Sequence, residues 1–487
     1  MQKINIVWFK RDLRLEDNEP LNAAVSSRYP TLLLYLFEPI LLDNPHYSTL
    51  HWRFIYQSLE DLNKKLHALD TSICMMQGEA IDCFEYLNSV FDIQIVYSHQ
   101  EIGLKCTHER DVQLSDWLSS KDIKWNESPS GAVIRGAKTR HQWDKHWKEV
   151  MRKPIPKLTT TSRDFVTPPS IPKPYQAIIP TEWTLKKSGV QTGGATLAQI
   201  TLEDFFQRRG KRYYCSISNP SDSRTACSRL SPYLAWGNLS LRQVYQTLLD
   251  HWQQPGFRRS LMALSSRLHW HCHFIQKFES EAEMEFRCLN KAYEPLITKY
   301  CENNATLLMA WKNGQTGIPL VDACMRCLIH TGYINFRMRA MLVSVLTHHM
   351  NIDWRLGAPY LASLFLDFEP GIHYPQFQMQ AGVTGINTLR IYNPIKQAKE
   401  HDSEGEFVRK WIPELTHIPT PLIFEPSQLT EMEIEMYQLE KDSVYLNPVI
   451  NLDECARKAR ERLWSWRGRA DVKQEAKRIL QVHVRPH

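Results

Sequence analysis

The chain has 487 residues, enough for two or more domains, and 43% of them are hydrophobic, which is ample material for a core. Its net charge of +6 is small for this length, and its 11 cysteines are scattered, which favours a reducing cytoplasm over a disulfide framework. An apolar stretch behind basic residues and an uncharged apolar window of about 18 residues are both absent, so we expect a cytoplasmic protein without a membrane span.

The first 130 residues alternate short apolar runs with segments of helical spacing. The runs typical of buried strands are INIVWF (4–9), TLLLYLF (31–37), SICMM (72–76) and IQIVYS (93–98). Helical spacing lies between and after them, at 51–69, 80–91 and 107–121. The alternation predicts an α/β domain with a doubly wound parallel sheet over residues 1–135. A GxGxxG motif does not follow the first strand, so a standard dinucleotide site is not supported there.

Prolines mark the next segment. Seven of them fall from Pro154 to Pro180, a density that opposes both helix and central strand. We therefore predict a Pro-rich interdomain linker over residues 136–195. Apolar residues then recur at three- and four-residue spacing, which predicts an all-helical domain over residues 196–487.

The end of the chain is basic. From Ala456 to Arg485 it holds ten Lys/Arg against three Asp/Glu. Such a stretch is typical of a face that binds a polyanion, and equally of a solvated charged helix. Charge alone does not choose between the two.

Two patterns resemble metal sites without supporting one. Cys324 and Cys327 have CxxC spacing, but they lie in a helical run with no second pair nearby, so core packing is favoured. His269, His271 and His273 alternate along a helix, where they point to different faces. We predict no metal site.

Three polar segments lie among the apolar helices. TACSRLSPYLAWGNLS (225–240) places hydroxyl, thiol and guanidinium groups before a proline that can open a helix, typical of a phosphate cradle or of a plain cap. GYINFRMRAM (332–341) puts two arginines in an apolar helix, where a buried cation needs a carboxylate partner. DFEPGIHYPQFQMQAG (367–382) supplies two candidate carboxylates. Alternatively, the arginines lie at the surface and the last segment is a solvated connector.

The segment VWFKRDLRLEDN (7–18) resembles the opening strand and turn of the DNA photolyase/cryptochrome family. Four later blocks are similar to the flavin domain of that family, in the same order: 227–240, 310–341, 352–367 and 392–415. The resemblance covers nearly the whole chain. It implies an N-terminal antenna domain and an all-α C-terminal FAD-binding domain.

The resemblance also implies a set of cofactor contacts. Around the FAD pyrophosphate it places Cys227, Ser228, Arg229, Leu230 and Ser231, with Tyr213 or Tyr214 as a further contact. Around the isoalloxazine it places an ion pair of Arg339 and Asp367, with Glu369 at the polar edge or the ribose and His373 beside N5. The segment 98–111 would line a crevice for an antenna chromophore of folate or deazaflavin type, whose identity stays open.

The implied activity is that of a deoxyribodipyrimidine photo-lyase. Such an enzyme uses blue light and reduced FAD to split pyrimidine dimers in DNA, and we expect this chain to do so as a monomer. Trp270 matches a tryptophan that stacks on the lesion, and Trp354 matches the middle member of an electron relay.

Several positions depart from the family pattern. Arg267 stands where cyclobutane-dimer photolyases carry a glutamate, and Tyr333 replaces a tryptophan. Phe377 stands where the relay begins with tryptophan, and the outer member has only Tyr300 as its nearest candidate, although Tyr374 or another aromatic could substitute. These changes keep open a cryptochrome-type photoreceptor that binds FAD without repair; a flavoprotein that does not use light has little support.

His373 stands where many photolyases have an asparagine. As a neighbour of flavin N5 it could donate a hydrogen bond or a proton, and its charge would respond to pH near neutrality. The alternative is that it satisfies a backbone carbonyl. The surrounding spacing favours the flavin-proximal role.

Overall fold

The computed structural model describes residues 1–302 and 304–484. Its first part is a parallel five-stranded sheet in the order β3-β2-β1-β4-β5. The strands are β1 (Lys3–Phe9), β2 (Thr31–Phe37), β3 (Cys74–Gln77), β4 (Asp92–His99) and β5 (Lys124–Ser128). The helices that connect them are α1 (Glu19–Val25), α2 (Pro39–Leu42), α3 (Thr49–Leu66), α4 (Ala80–Val90) and α5 (Lys105–Ser120). The predicted doubly wound sheet is confirmed.

The central strands are buried because almost all of their residues are apolar. In β1, Val7 and Phe9 pack against one side of the sheet, while Ile6 and Trp8 pack against the other. Strand β1 pairs with β2 on one side and with β4 on the other. The loops that follow β1 and β4 therefore diverge at the carboxyl ends of these two strands. Such a point leaves a crevice in which ligands bind.

Strand β5 was missed because its sequence KWNES has no apolar pattern. It lies at the sheet edge, pairs only with β4 among the described residues, and is largely solvent-facing. Edge strands of this kind are polar by necessity, so periodicity does not reveal them.

The stretch predicted as a linker is not extended throughout. It contains α6 (Trp143–Arg152), whose Trp143, Trp147 and Met151 are buried, and the short α7 (Thr181–Thr184). Helix α6 was not predicted, because the linker was inferred from prolines that begin at Pro154, after the helix has ended. The domain boundaries themselves stay a prediction.

The rest of the described chain is helical, as predicted, and none of its helices combines the length and apolar character needed to cross a bilayer. The helices up to residue 331 are α8 (Ala195–Gln207), α9 (Tyr213–Ser216), α10 (Ser223–Ala226), α11 (Ser231–Ala235), α12 (Leu241–Asp250), α13 (Arg258–Ser280), α14 (Glu294–Tyr300), α15 (Ala305–Asn313) and α16 (Pro319–Thr331). The later helices are α17 (Phe336–Ser344), α18 (Trp354–Leu364), α19 (Pro370–Gln380), α20 (Pro394–His401), α21 (Glu406–Trp411), α22 (Glu431–Met436), α23 (Leu452–Arg467) and α24 (Ala470–His483).

The polar segment 367–382 folds mainly as α19, packed against α13. The two helices approach closely at Gly371, where a Cβ atom would lie 2.8 Å from the Cα of Ile275. A larger residue would force them apart, so glycine is required for this packing. The segment is therefore part of the core rather than a solvated connector.

Candidate functional site

Arg339 of α17 and Asp367, just before α19, form a bidentate ion pair. Each terminal nitrogen of the guanidinium lies 2.9 Å from one carboxylate oxygen. Burial raises the pKa of Asp367, but the attraction and hydrogen bonds of Arg339, together with the smaller effects of Ser231 and Arg229, outweigh burial and bring the pKa below its usual range. Asp367 is thus ionised at neutral pH. The carboxylate partner that the sequence demanded for an arginine in this helix is present.

The serine-rich turn lies next to this ion pair. Besides Arg339, the nearby hydroxyl of Ser231 and the positive charge of Arg229 both favour the ionised form of Asp367. The two regions that the sequence assigned to opposite ends of one ligand therefore meet. Ser231 is exposed, whereas Arg229 is buried.

Arg229 is a buried cation that can still donate a hydrogen bond. Its Nη1 has no hydrogen-bond partner within the described part of the chain, and its guanidinium lies 3.4 Å from the ring centroid of Tyr333. Burial lowers its pKa, and the nearby Arg224 adds to that effect. Its backbone φ of 59° is left-handed, which is uncommon for a residue with a Cβ atom and frequent at ligand sites. A buried guanidinium of this kind calls for an anion.

The remaining residues of the predicted cradle contribute less directly. The Leu230 side chain lies in the hydrophobic core, and Ser228 accepts a hydrogen bond from Arg209 through its backbone oxygen at 2.8 Å. Burial raises the pKa of the Cys227 thiol to about 11, so it stays protonated. Helix α11 has only five residues, so its amino terminus adds little to the anion site.

The two tyrosines upstream of the turn differ. Tyr214 is 44% exposed, and its ring faces the guanidinium of Arg259 at 5.5 Å. Tyr213 is buried and lies close enough to Cys227 for the two side chains to interact electrostatically. Tyr213 is therefore the better placed of the two candidates.

Glu369 pairs with a residue that the sequence did not suggest. Its carboxylate lies 3.4 Å from Nη2 of Arg11, which follows β1 in the other half of the protein. Arg11 also donates to the backbone oxygens of Ala235 and Phe368 and lies 4.6 Å from the ring centroid of Trp236. The earlier proposal of Glu369 as a partner for an arginine of α17 is therefore wrong. Long-range pairing of this kind leaves no local signal.

Arg11 and Glu369 can each form a further hydrogen bond. Nη1 of Arg11, Oε1 of Glu369 and Nδ1 of His271 are buried without a hydrogen-bond partner among the described residues. All three residues line a cavity between the strand-end loops and the helical half. Buried polar atoms left open around one cavity indicate a polar ligand or ordered water.

His373 lies in α19 among four aromatic rings. They belong to Phe365, Phe368, Tyr374 and Phe377, with ring centroids 5.3–6.0 Å away. Its Nε2 donates to the backbone oxygen of Ala358 at 2.9 Å, so the neutral ring carries its proton there and Nδ1 can only accept. Burial lowers the pKa of His373 to about 3. The predicted response to pH near neutrality is wrong, because a charged ring would be desolvated.

The predicted relay residues occupy different settings. Trp354 is fully buried, 6.4 Å from Phe377 and 6.3 Å from Tyr374 between ring centroids. Tyr300 is exposed, and its ring lies 5.9 Å from that of Trp466 rather than beside Trp354. An outer relay member at Tyr300 stays a prediction.

Arg267 and Trp270 lie one turn apart on the exposed side of α13. Trp270 is 54% exposed and contacts Phe274 edge-on at 6.3 Å. Arg267 donates to the backbone oxygen of Ala263 at 2.8 Å and lies within electrostatic reach of Cys227. This face therefore adjoins the serine-rich turn and offers a flat ring beside a cation.

The crevice at the strand ends holds a buried ionic network. Arg110 pairs with Glu38, Glu101 and Asp111, and Lys10 lies 3.0 Å from Asp111. The network borders a cavity whose aromatic lining is Trp8, Phe9, Tyr35, Tyr47, Trp52 and Trp236. Segment 98–111 lines this cavity, as predicted, through Glu101, Gly103, Thr107 and Arg110.

Known proteins resemble the chain over most of its length. The family model "DNA photolyase" matches residues 5–157, and "FAD binding domain of DNA photolyase" matches residues 263–465. A deoxyribodipyrimidine photo-lyase of Alkalihalophilus pseudofirmus is 32% identical over 476 residues, covering 94% of this chain and 97% of that protein. A cryptochrome DASH of Gloeobacter violaceus is 26% identical over 474 residues, covering 93% of this chain and 94% of that protein.

The fold is also that of a solved relative. The crystal structure of a Synechocystis cryptochrome matches with a TM-score of 0.83 at 24% identity, covering 95% of this chain and 99% of that chain. The relatives include photolyases and cryptochromes, so they do not separate repair from light sensing. The parallel sheet, the helical half with its FAD-binding domain and these relatives together show that the chain belongs to the DNA photolyase/cryptochrome family.

Proposed function

We propose that this chain is a FAD-dependent, blue-light-driven photo-lyase that splits pyrimidine dimers in DNA, acting as a cytoplasmic monomer. The observation that carries the proposal is the meeting of Arg229 and Ser231 with the Arg339–Asp367 pair. A bent dinucleotide needs a cation for its pyrophosphate and polar partners for its ring, and this region supplies both.

The open polar atoms of this region fit FAD. Nη1 of Arg229 would donate to the pyrophosphate, with the hydroxyls of Ser228 and Ser231 on the same turn. Oε1 of Glu369 would accept from a ring N–H or a ribose hydroxyl. When bound, FAD supplies light-driven one-electron chemistry that side chains lack.

The protein's own part is to set charges and protons in advance. The buried pair of Arg339 and Asp367 would fix the field beside the ring before light arrives, which costs no reorganisation during the reaction. His373 keeps its proton on Nε2, bound to Ala358, so it would accept a hydrogen bond from a neighbour and not donate one. Its aromatic surroundings would exclude water.

The proposed DNA contact is the α13 face. Trp270 would stack on an extruded base, a contact worth about 1–3 kcal/mol by alanine substitution. Arg267 beside it would attract a backbone phosphate. The basic end of the chain is a weaker candidate because many of its charges are paired internally: Arg457 with Glu461, Lys458 with Glu454 and Arg469 with Asp471. Arg485 lies outside the described residues.

The proposed antenna site is the strand-end cavity beside the Arg110 network. Its aromatic lining suits a flat heterocycle, and its ionic network offers both donors and acceptors. A folate or deazaflavin chromophore would meet those requirements, and the absorption spectrum of the purified protein would tell the two apart.

The decisive experiment is a repair assay. The purified, reduced protein is illuminated with oligonucleotides that contain either cyclobutane or (6-4) dimers, and the loss of each lesion is measured. Repair of at least one lesion is expected, and a dark sample and an Arg339→Ala sample serve as controls. A protein that carries flavin but repairs neither lesion would refute the enzyme proposal.

That last result would favour a second candidate, a blue-light receptor. Arg267 in place of a glutamate and Phe377 in place of a tryptophan support it. Equal affinity for damaged and undamaged DNA would strengthen the receptor proposal, whereas preference for damaged DNA would count against it.

A further inference from the structure

Tyr374 and His46 form a hydrogen bond between α19 and the loop after α2. The hydroxyl of Tyr374 lies 2.5 Å from Nε2 of His46, and Nδ1 of His46 lies 2.6 Å from Oδ1 of Asn44. The backbone N–H of His46 donates to the same amide oxygen at 3.1 Å, which identifies it as the acceptor. Nδ1 therefore carries the imidazole proton, Nε2 is bare, and the phenol donates to it.

Both partners are neutral and shielded from water at rest. Tyr374 is 2% exposed and His46 is 6% exposed. Burial lowers the pKa of His46 to about 4 and raises that of Tyr374 far above its usual value. A phenol that loses an electron becomes a strong acid, and here the bare nitrogen of His46 is the base in contact with it.

Tyr374 also touches a tryptophan that can lose an electron. The rings of Tyr374 and Trp354 meet edge-on, with centroids 6.3 Å apart and planes at 80°. Trp354 is fully buried, and its other aromatic neighbour Phe377 is far harder to oxidise. An electron deficit on Trp354 therefore has Tyr374 as a donor in direct contact.

We propose that Tyr374 and His46 act together as a proton-coupled electron donor to oxidised Trp354. Tyr374 gives one electron to the indole cation radical, which returns to neutral tryptophan. The phenol O–H bond breaks and its proton forms an N–H bond at Nε2 of His46, leaving a neutral tyrosyl radical and an imidazolium. The oxidant for Trp354 would be supplied by bound, oxidised FAD under light, so the inference rests on the proposed function.

Two other tyrosines, half-buried Tyr360 and buried Tyr233, donate to a carbonyl instead of a base. Tyr360 donates to the backbone oxygen of Lys312 at 2.7 Å, and Tyr233 donates to that of Thr192 at 3.0 Å. A carbonyl oxygen does not take up a proton at neutral pH, so oxidation of these phenols is disfavoured. The hydroxyl of Tyr293 is buried with no partner among the described residues, which makes Tyr293→Phe a matched control.

The test is electron paramagnetic resonance of the flavin-loaded, full-length protein after a light flash. A tyrosyl signal is expected, with a narrower spectrum when the protein contains ring-deuterated tyrosine and slower formation in D₂O. Tyr374→Phe should abolish the signal. His46→Gln should also abolish it, because the glutamine oxygen can accept the hydrogen bond but cannot keep the proton. Tyr293→Phe should leave the signal unchanged.

Three further measurements separate failure of this inference from failure of the proposed function. Flavin absorbance reports whether each variant holds the cofactor, and circular dichroism reports whether it folds. A soluble ruthenium photo-oxidant can oxidise tryptophan without flavin, and the Tyr374-dependent signal should appear in that experiment too. A signal that survives Tyr374→Phe, or that is equally strong in folded His46→Gln, would overturn the inference.

Discussion

Glu369 in the helical half and Arg11 in the α/β half form a buried ion pair across the molecule, 3.4 Å apart. Its two charges come from segments that no sequence pattern connects. Arg11 also donates to backbone oxygens on both sides of this contact, at Ala235 and Phe368. The pair therefore joins the halves and borders the candidate site.

Arg11→Met should destabilise the fold. It leaves Glu369 buried without its counter-charge, a change that typically costs about 3–5 kcal/mol. Urea unfolding measures the loss. The double variant with Glu369→Gln should recover part of it, whereas Arg457→Ala, which breaks an exposed pair with Glu461, should have little effect. Equal stability of Arg11→Met and the unmodified protein would contradict the role given to this pair.

Arg339→Ala and Asp367→Ala should each lose FAD. Each leaves its partner as an uncompensated charge beside the proposed ring site. The ratio of flavin to protein absorbance measures occupancy. Arg337→Ala is the matched control, because that arginine lies on the same helix but bonds Ser218 rather than a carboxylate. Full occupancy in either pair variant would remove the ion pair from the site.

Stability should fall as the pH drops below about 6.5. Burial lowers the pKa of five histidines to about 3 or 4: His46, His51, His271, His348 and His373. The unfolded chain takes up protons as the pH passes 6.5, and the folded chain does not until much lower pH. The contribution of these histidines to the free energy of unfolding is therefore fully present above pH 6.5. It is lost towards pH 4, by about 1.4 kcal/mol per pH unit for each histidine.

The control for this effect is His373→Asn. It removes one of the histidines that must stay neutral. The slope of unfolding free energy against pH should therefore decrease by about 1.4 kcal/mol per pH unit, which is the contribution of one proton. Urea unfolding at several pH values gives both slopes. A constant stability from pH 7 to pH 5 would show that these rings are not held neutral.

Phe377→Trp should speed light-driven reduction of the flavin. The ring at this position lies 5.5 Å from His373 and 6.4 Å from Trp354, so an indole there would bridge the proposed cofactor site and the buried tryptophan. The decay of oxidised-flavin absorbance under blue light measures the rate. Phe377→Leu should leave it unchanged. An equal rate in the tryptophan variant would mean that another route already delivers electrons.

Trp270→Ala should weaken binding to dimer-containing DNA. Loss of one stacking platform costs about 1–3 kcal/mol, or roughly five- to a hundredfold in affinity. Fluorescence anisotropy with labelled oligonucleotides measures it. Trp464→Ala is the control, since Trp464 is 55% exposed, much like Trp270, but lies on α23. A larger loss at Trp464 would move the DNA surface to the basic end of the chain.

What the sequence predicts here depends on whether a signal is local. The ion pair of Arg339 and Asp367 was implied by the family resemblance, whereas the demand of a buried arginine for a carboxylate narrowed the partners only to Asp367 or Glu369. The partner of Glu369 was not, because Arg11 lies in a different half of the fold. His373 was expected to titrate near neutrality, and only the packing of Phe365, Phe368, Tyr374 and Phe377 around it shows that it cannot.

The same distinction holds for the fold. The strands buried on both faces could be recognised as apolar runs in the sequence, whereas β5 at the sheet edge could not. The contact of Tyr374 with His46 was beyond prediction as well, since His46 sits in an irregular loop that carries no periodicity. Burial imposes a pattern on a sequence, and solvent and long-range contacts do not.

Arg11 lines both the cavity bordered by Glu369 and His271 and the one beside the Arg110 network. The two cavities therefore share part of their lining. Ligands bound in both would be separated by a side chain that Glu369 and two backbone oxygens hold in place. A substitution at Arg11 would then disturb both ligands at once, so neither cavity can be altered through this residue without affecting the other.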